Sequence, residues 1–327
     1  MDGIISLIQA AVVFGTVIMF GAIGEIIAEK SGSLNLGVPG VMYLGGIASL
    51  AGVFFYEMNV EEPNKLVCVI IALVCGFGAS FLGGLLFSFI TVTLRANQNV
   101  TGLTLTIFGS GVANFFGGSL NKLAGGVGQI SVSTTSSAFR QSIPFVSDMG
   151  VVGKAFFSYG IMVYIAIIIG IVAQWYINKT RKGLNLRAVG ENPATADAAG
   201  INVTKYKYLA TSIGAGISGL GGIYYVMDYT KGTWANDGTI ETLGWLALAL
   251  VIFATWRPIN AIWGSYLFGI LYWMYFYIAG LNRSSQELFK MLPYIVTIVV
   301  LIAISLRNKK ENQPPADLGN TYFREER

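Results

Sequence analysis

Seven polar side chains lie within or beside long apolar segments, and their residue types could bind or pass a polar solute. They are Glu25, Asn35, Asn97, Asn99, Thr104, Thr106 and Asn114. Ionisable groups are costly in hydrocarbon, so such a group indicates function by default. Two ordinary interpretations compete with that hypothesis. Glu25 is close enough to Lys30 to be solvated or ion-paired, and Asn and Thr often only hydrogen-bond neighbouring helices.

The residue types needed for most catalytic and metal sites are scarce. The chain has no histidine, which is the commonest general base and metal ligand. No nucleophile, base and orienting group occur together. Cys68 and Cys75 lie on one face of an apolar segment, and we interpret them as small buried residues without a disulfide or a metal. We therefore expect neither an enzyme nor a bound cofactor or metal.

The sequence contains no convincing nucleotide-binding motif. Gly214, Gly216 and Gly219 fit G-x-G-x-x-G, but no strand precedes them and they lie in an apolar segment. The four-residue spacing of Gly214, Ser218 and Gly222 favours close helix packing instead. No P-loop pattern occurs, so any ATP-driven work would require a partner protein.

The composition is that of a membrane protein. Of the 327 residues 54% are hydrophobic and only 12% are charged, against roughly 25% charged residues in soluble domains. The mean hydropathy is +0.63. The net charge of +4 is largely due to basic residues that border apolar segments, so we do not expect nucleic acid as a partner.

The apolar segments predict an all-α polytopic membrane protein, because a helix needs about 20 apolar residues to cross a bilayer. We predict about nine transmembrane helices in a single membrane domain, residues 1–306. The predicted spans are residues 4–28, 41–56, 66–93, 101–118, 160–177, 208–227, 243–256, 259–279 and 292–306. The Ser-, Thr- and Gly-rich residues 119–159 are predicted to form an outer loop with a re-entrant or surface helix. The polar tail, residues 307–327, is expected to be flexible or weakly ordered.

A polar stretch at residues 178–207 fixes the expected orientation. Its basic residues are Lys179, Arg181, Lys182, Arg187, Lys205 and Lys207. Positive loops lie in the cytoplasm, which places the N-terminus outside and the C-terminus inside. In this arrangement 14 of the 21 Lys and Arg residues lie inside, in agreement with the rule.

The same stretch contains the signals of a short helix. Asn192 suits an N-cap, Pro193 suits the first helical position, and Gly200 is a typical C-terminal stop. A helix of about two turns is not stable alone. We therefore expect it to pack on the membrane domain, on a partner protein, or on both.

Three segments, in this order along the chain, resemble the sugar and nucleoside ABC importer permeases. The first is Glu29-Lys-Ser-Gly-Ser-Leu-Asn-Leu-Gly37 with Gly40-Val-Met42, the second is Leu186-Arg-Ala-Val-Gly-Glu-Asn-Pro193 with Ala198-Ala-Gly-Ile-Asn-Val203, and the third is Gly244-Trp-Leu-Ala-Leu-Ala-Leu-Val-Ile-Phe-Ala-Thr-Trp-Arg-Pro258. The resemblance covers essentially residues 25–306 and looks most like the nucleoside importer permeases. One departure is Val38-Pro39-Gly40, where the family commonly has an acidic residue before this glycine.

The resemblance implies a multi-pass subunit of the bacterial plasma membrane that imports nucleosides by alternating access. It implies an ABC ATPase that uses ATP and Mg, a second, homologous but non-identical permease, and an extracytoplasmic substrate-binding lipoprotein of the basic membrane protein type. It also implies that the cytoplasmic loop docks on the ATPase through a coupling helix, residues 192–200. The expected coupling residues are Arg187, Gly190, Glu191, Asn192, Pro193, Ala196, Ala199 and Gly200.

Other functions remain open at this point. A simple-sugar permease of the same family is the nearest alternative, and a secondary transporter or channel without ATPase partners is the main rival from another class. A structural scaffold is a third. The compact helix in a basic loop favours the ATPase-driven transporter, because a self-sufficient transporter does not need it.

An aromatic cluster at the end of the eighth predicted span allows two interpretations. Its members are Tyr266, Tyr272, Trp273, Tyr275, Phe276 and Tyr277. These rings could stack a nucleobase or form an interfacial aromatic belt. We favour the belt.

Overall fold

The computed structural model describes residues 2–123, 130–141, 157–278, 280, 282–307 and 313–323, and within them it is helical. One isolated antiparallel bridge joins Ser131 and Thr233, and these residues form no strand. The helices are α1 Asp2–Glu29, α2 Val38–Asn59, α3 Lys65–Ser88, α4 Gln98–Leu123, α5 Ser133–Phe139, α6 Ile161–Lys179, α7 Arg181–Glu191, α8 Pro193–Ala198, α9 Val203–Tyr224, α10 Thr239–Phe253, α11 Pro258–Trp273, α12 Arg283–Lys290 and α13 Leu292–Arg307. The predicted all-α architecture is confirmed.

Six helices in the described ranges are long and apolar enough to cross a membrane. They are Gly3–Glu29, Val38–Asn59, Lys65–Thr93, Gln98–Leu120, Ile161–Lys179 and Val203–Tyr229, and a seventh span is formed if Ser284–Lys290 and Leu292–Leu306, bent by 41°, act together. α10 and α11 have only 15 and 16 residues, or about 24 Å at most, against about 30 Å of hydrocarbon. The predicted count of nine therefore remains a prediction.

Part of the predicted outer loop can be compared with the structure. Residues 133–139 form the short helix α5, and Glu57 at the end of α2 holds it by accepting bonds from the backbone nitrogen (2.9 Å) and hydroxyl (2.6 Å) of Thr135. Residues 124–129 and 142–156 of this loop lie outside the described residues. A re-entrant or surface helix was expected in this loop; α5 is a short helix there, and its position relative to the membrane stays a prediction.

α9 occupies the centre of the bundle, where it packs against α1, α2 and α3. Small residues allow this close approach. The Ser218 hydroxyl donates to the Gly21 carbonyl at 3.1 Å, and a Cβ on Gly214 would lie 2.4 Å from the Gly24 carbonyl oxygen. The sequence-based prediction of helix packing through this face is confirmed.

One of the two tightest of these approaches predicts a steric effect at Gly222. A Cβ at this position would lie 1.9 Å from the Met42 carbonyl oxygen, which belongs to the backbone of α2. We expect Gly222→Ala to lower the free energy of unfolding by about 1–3 kcal/mol, because the helices must separate. The measurement is the melting temperature in detergent.

Gly78→Ala in α3 is the matched control for this prediction. No atom lies within 4 Å of the Cβ that it would add. Because alanine favours a helix over glycine by about 1 kcal/mol, this variant is expected to melt at the same temperature or slightly higher. Equal melting temperatures for the two variants would contradict the packing described for α9.

Candidate functional site

Several connections meet at one end of the bundle. We call this end the basic end and define it as residues 30–37, 94–98, 178–207 and 313–323. The Leu34 nitrogen donates to the Gln98 side chain at 2.7 Å, and the Asp317 nitrogen donates to the Gly190 carbonyl at 3.0 Å. The Gly319 nitrogen donates to the Gly32 carbonyl at 3.2 Å, so the four segments lie side by side.

The polar central stretch folds as two consecutive helices rather than one. α7 was not predicted and covers Arg181–Glu191, and its N-cap Thr180 accepts a bond from the Gly183 nitrogen at 2.9 Å. Its buried face is Gly183, Leu186, Val189 and Gly190, and basic residues lie elsewhere on the helix. The sequence signal for this helix was weak. Leu186 and Val189 are three residues apart, and a single such interval is too short to establish an amphipathic pattern.

α8 confirms the local prediction for the expected coupling helix. The Asn192 side chain accepts a bond from the Thr195 nitrogen at 2.9 Å, and Pro193 occupies the first helical position. Gly200 adopts a positive φ of 81°, which favours glycine. The helix covers Pro193–Ala198, three residues shorter than the predicted segment 192–200.

The eight expected coupling residues divide into two groups. Pro193, Ala196 and Gly190 are buried and Arg187 is half-buried, whereas the exposed members are Glu191, Asn192, Ala199 and Gly200. Ala196 packs against Val189 and Val203. The buried group fixes the two helices to the bundle, and the exposed group is free to contact another protein.

Gly190 is the point at which the central stretch touches the end of α1. A Cβ on Gly190 would lie 2.4 Å from the Lys30 carbonyl oxygen and 3.1 Å from the Gly32 nitrogen. Only glycine permits this contact between two backbones.

The surroundings of this contact are rich in positive charge. Burial lowers the pKa of Lys30, and the nearby cations Arg187 and Arg257 add to the effect, while Glu191 opposes it. The Nε atom of Arg187 is buried without a hydrogen-bond partner among the described residues. Such a cluster fits an acidic or hydrogen-bond-accepting protein surface.

The break between α1 and α2 is built on buried polar groups. Glu25 is 2% exposed and accepts a bond from the Asn35 nitrogen at 2.9 Å. The Asn35 side chain in turn accepts a bond from the Gly37 nitrogen at 2.9 Å. Glu29 accepts a hydrogen bond from the indole of Trp256, a partnership that the sequence did not reveal. Glu25 and Asn35 thus hold the backbone of the break, and a contact with solute stays a prediction.

The five other predicted pathway residues lie on or next to α4. Thr106 is buried and donates to the Leu36 carbonyl at 3.0 Å, so it joins α4 to the break. Asn97 accepts a bond from the Val100 nitrogen at 3.1 Å at the start of the helix. Asn99, Thr104 and Asn114 are exposed in the single chain.

The exposed surface of α4 carries small and polar residues interspersed with large apolar ones such as Val100 and Ile107. We call Thr104, Gly111, Asn114 and Gly118 the α4 polar face. All four residues are exposed, and added Cβ atoms on Gly111 and Gly118 would meet no atom within 4 Å. The structure thus gathers Thr104 and Asn114 on one face and keeps them apart from Glu25 and Asn35.

Two rings of the aromatic cluster at the end of α11 pack against α1. Tyr272 stacks on Phe14 with ring centroids 4.3 Å apart, and Trp273 meets Phe14 edge-on at 6.3 Å. Phe276 and Tyr277 are exposed. These contacts agree with the belt rather than with a stacking site.

The C-terminal tail corrects one prediction. Residues 313–323 lie on the basic end, where the Gln98 side chain donates to the Asn320 carbonyl at 2.9 Å and Leu318 packs against the main core. The expectation of a weakly ordered tail is therefore wrong for these residues. Its contacts join positions more than 100 residues apart, which no local pattern signals.

Comparison with known proteins places the chain in a family. The family described as branched-chain amino acid transport system, permease component, matches residues 7–301. The nucleoside ABC transporter permease protein NupC of Lactococcus lactis subsp. cremoris is 31% identical, over 88% of this chain and 89% of NupC. The guanosine ABC transporter permease protein NupQ of Bacillus subtilis is 30% identical over 90% of both chains.

A third relative carries a different substrate name. The putative glucose ABC transporter permease protein TsgC13 of Haloferax volcanii is 28% identical over 98% of both chains. No solved structure matches. With a family match that spans nearly all of its length and apolar helices able to cross a membrane, the chain belongs to the permease components of this ABC transport family and is a multi-pass plasma-membrane subunit.

Proposed function

We propose that this permease takes up nucleosides, and that α7 and α8 transmit the movement of a separate ATPase to the membrane helices. The observation that carries the proposal is the position of these two helices. They connect α6 directly to α9, and their buried face packs on the bundle while Glu191, Asn192, Ala199 and Gly200 remain exposed. A push on the exposed face would therefore move two spans at once.

The proposed topology has nine crossings, with the basic end in the cytoplasm. Two contacts support the short helices α10 and α11 as crossings. Trp256, just after α10, meets Glu29, the last residue of α1 before the basic end, whereas Tyr272, near the end of α11, meets Phe14 in the first half of α1. α11 thus runs from the basic end toward the opposite end, which is the arrangement that nine crossings require.

The α4 polar face is the proposed wall of the solute path. The Thr104 hydroxyl donates within α4 to the Val100 carbonyl at 2.8 Å, but lipid offers no partner to its remaining acceptor sites or to the Asn114 amide, which is unfavourable. A water-containing path shared with a second permease, homologous but non-identical, would satisfy them. The basic cluster around Lys30 is the proposed contact for the ATPase, and an extracytoplasmic lipoprotein would deliver the substrate to the opposite end.

This assignment predicts a blockade at Gly111. We expect Gly111→Phe to lower uptake at least about tenfold, equivalent to about 1.4 kcal/mol, because the ring would enter the path. Gly78→Phe in α3 is the control, since added atoms there meet open space as well. Uptake is measured in cells at matched protein levels. Equal uptake by both variants would place the α4 polar face against lipid.

The substrate class rests on the relatives named for nucleosides and guanosine, and a simple sugar such as that named for the third relative is the alternative. The test is to purify the chain with the proteins that bind it, and to measure ATP hydrolysis with the binding protein and either nucleosides or sugars. Stimulation by nucleosides alone supports the proposal. Stimulation by sugars alone would show that the substrate is a sugar rather than a nucleoside. A complex without ATPase would favour a transporter that works without ATP.

A further inference from the structure

The tail residues 313–323 bridge two parts of the basic end that the sequence keeps far apart. The Asp317 nitrogen donates to the Gly190 carbonyl at 3.0 Å, and the Gly319 nitrogen donates to the Gly32 carbonyl at 3.2 Å. Gly319 has a positive φ of 82°, so the chain turns there. The tail is thus bonded both to the end of α7 and to the break that follows α1.

An ion pair fixes the same part of the tail to α9. Lys207 is 2% exposed, and its ammonium lies 3.4 Å from an Asp317 carboxylate oxygen. Burial raises the pKa of Asp317, and the charge of Lys207 opposes this effect. Buried pairs add little net stability because both charges lose water, but the loss of one partner leaves a buried charge without compensation. The pair is therefore suited to fix a position.

A third contact reaches α8 itself. The Tyr322 hydroxyl donates to the Asp197 carboxylate at 3.0 Å, and the ring packs against the cluster of Val189, Ala196 and Val203. Beyond it, Arg95 lies over the Phe323 ring at 4.8 Å. Tyr322 thus bonds the tail to the helix whose far side is exposed for a partner.

We propose that residues 313–323 form a strap that fixes α7 and α8 to the break after α1 and to the start of α9. Asp317 and Tyr322 are its positioning residues. Without the strap, a push on α8 reaches α6 and α9 through their chain connections, and reaches α1 only through the close packing of Gly190 on Lys30 and Gly32. With it, hydrogen bonds from the tail to Gly190 and Gly32 form a second link to α1. This inference rests on the proposed function, in which α8 receives the movement of an ATPase.

The test compares substrate transported per ATP hydrolysed in proteoliposomes that contain the complete complex. Asp317→Asn is expected to lower this ratio about tenfold, because Lys207 loses its charged partner, while ATP hydrolysis continues. The double variant Lys207→Asp with Asp317→Lys restores an ion pair and is expected to recover much of the ratio. Tyr322→Phe, which removes a single hydroxyl, should lower the ratio less than Asp317→Asn.

Glu62→Gln is the matched control, because Glu62 is an exposed carboxylate in the connection between α2 and α3. A merely structural tail would reduce protein amount, hydrolysis and uptake together and leave the ratio unchanged, which would overturn the strap. An unchanged ratio in both Asp317→Asn and Tyr322→Phe would do the same. A wild-type complex that hydrolyses no ATP would instead overturn the proposed function.

Discussion

Replacement of Gly190 by leucine is expected to abolish most substrate uptake while leaving ATP hydrolysis measurable. Even a Cβ at this position would lie 2.4 Å from the Lys30 carbonyl oxygen, and a leucine side chain would separate α7 from the end of α1. We expect uptake to fall about a hundredfold, which corresponds to about 2.7 kcal/mol. The measurement is uptake and ATP hydrolysis by the same proteoliposomes.

The control for Gly190→Leu is Gly78→Leu, which introduces the same side chain where no atom lies within 4 Å of the new Cβ. This variant should transport as the wild type does. The hypothesis that α7 and α8 pass force to the bundle would be contradicted if Gly190→Leu folded normally and transported substrate at the wild-type ratio to ATP.

Loss of the Glu25 carboxylate is the second change with a large expected effect. Glu25 accepts the bond from the Asn35 nitrogen inside the protein, so Glu25→Leu leaves a buried N–H group without a partner. We expect a loss of about 1–3 kcal/mol in the free energy of unfolding. The measurement is the melting temperature of the purified chain, together with its yield from membranes.

Glu25→Gln separates a structural role from a role in the solute path. The amide oxygen can still accept the Asn35 bond, so this variant is expected to melt near the wild type and to transport substrate. Normal melting with a selective loss of uptake would show that the carboxylate contacts solute, in contradiction to its buried position.

Local patterns predicted the features that depend on neighbouring residues. Runs of apolar residues predicted the long helices, and Asn192, Pro193 and Gly200 predicted α8, because caps and stops act within a few residues. The spacing of Gly214 and Ser218 predicted helix packing, because residues four apart share a helix face.

Features that depend on distant partners were not predicted from the sequence, or were predicted only in part. The tail is mostly polar, and one of its contacts joins Asp317 to Lys207, 110 residues away. Likewise, the partner of Glu29 is Trp256, 227 residues away. α7 was missed because its basic residues suggested a solvated loop, whereas its apolar side faces the bundle. In each case the signal lies in pairs of positions rather than in one segment.

The position of α8 against an ATPase is tested most directly by site-specific photo-crosslinking in the assembled complex. A photoreactive residue at Ala198, which is exposed on α8, is expected to yield a covalent adduct with the ATPase subunit. The same residue at Glu62, in the connection between α2 and α3, is expected to yield none. An absent adduct at Ala198, or equal adducts at both positions, would contradict the proposed coupling through α7 and α8.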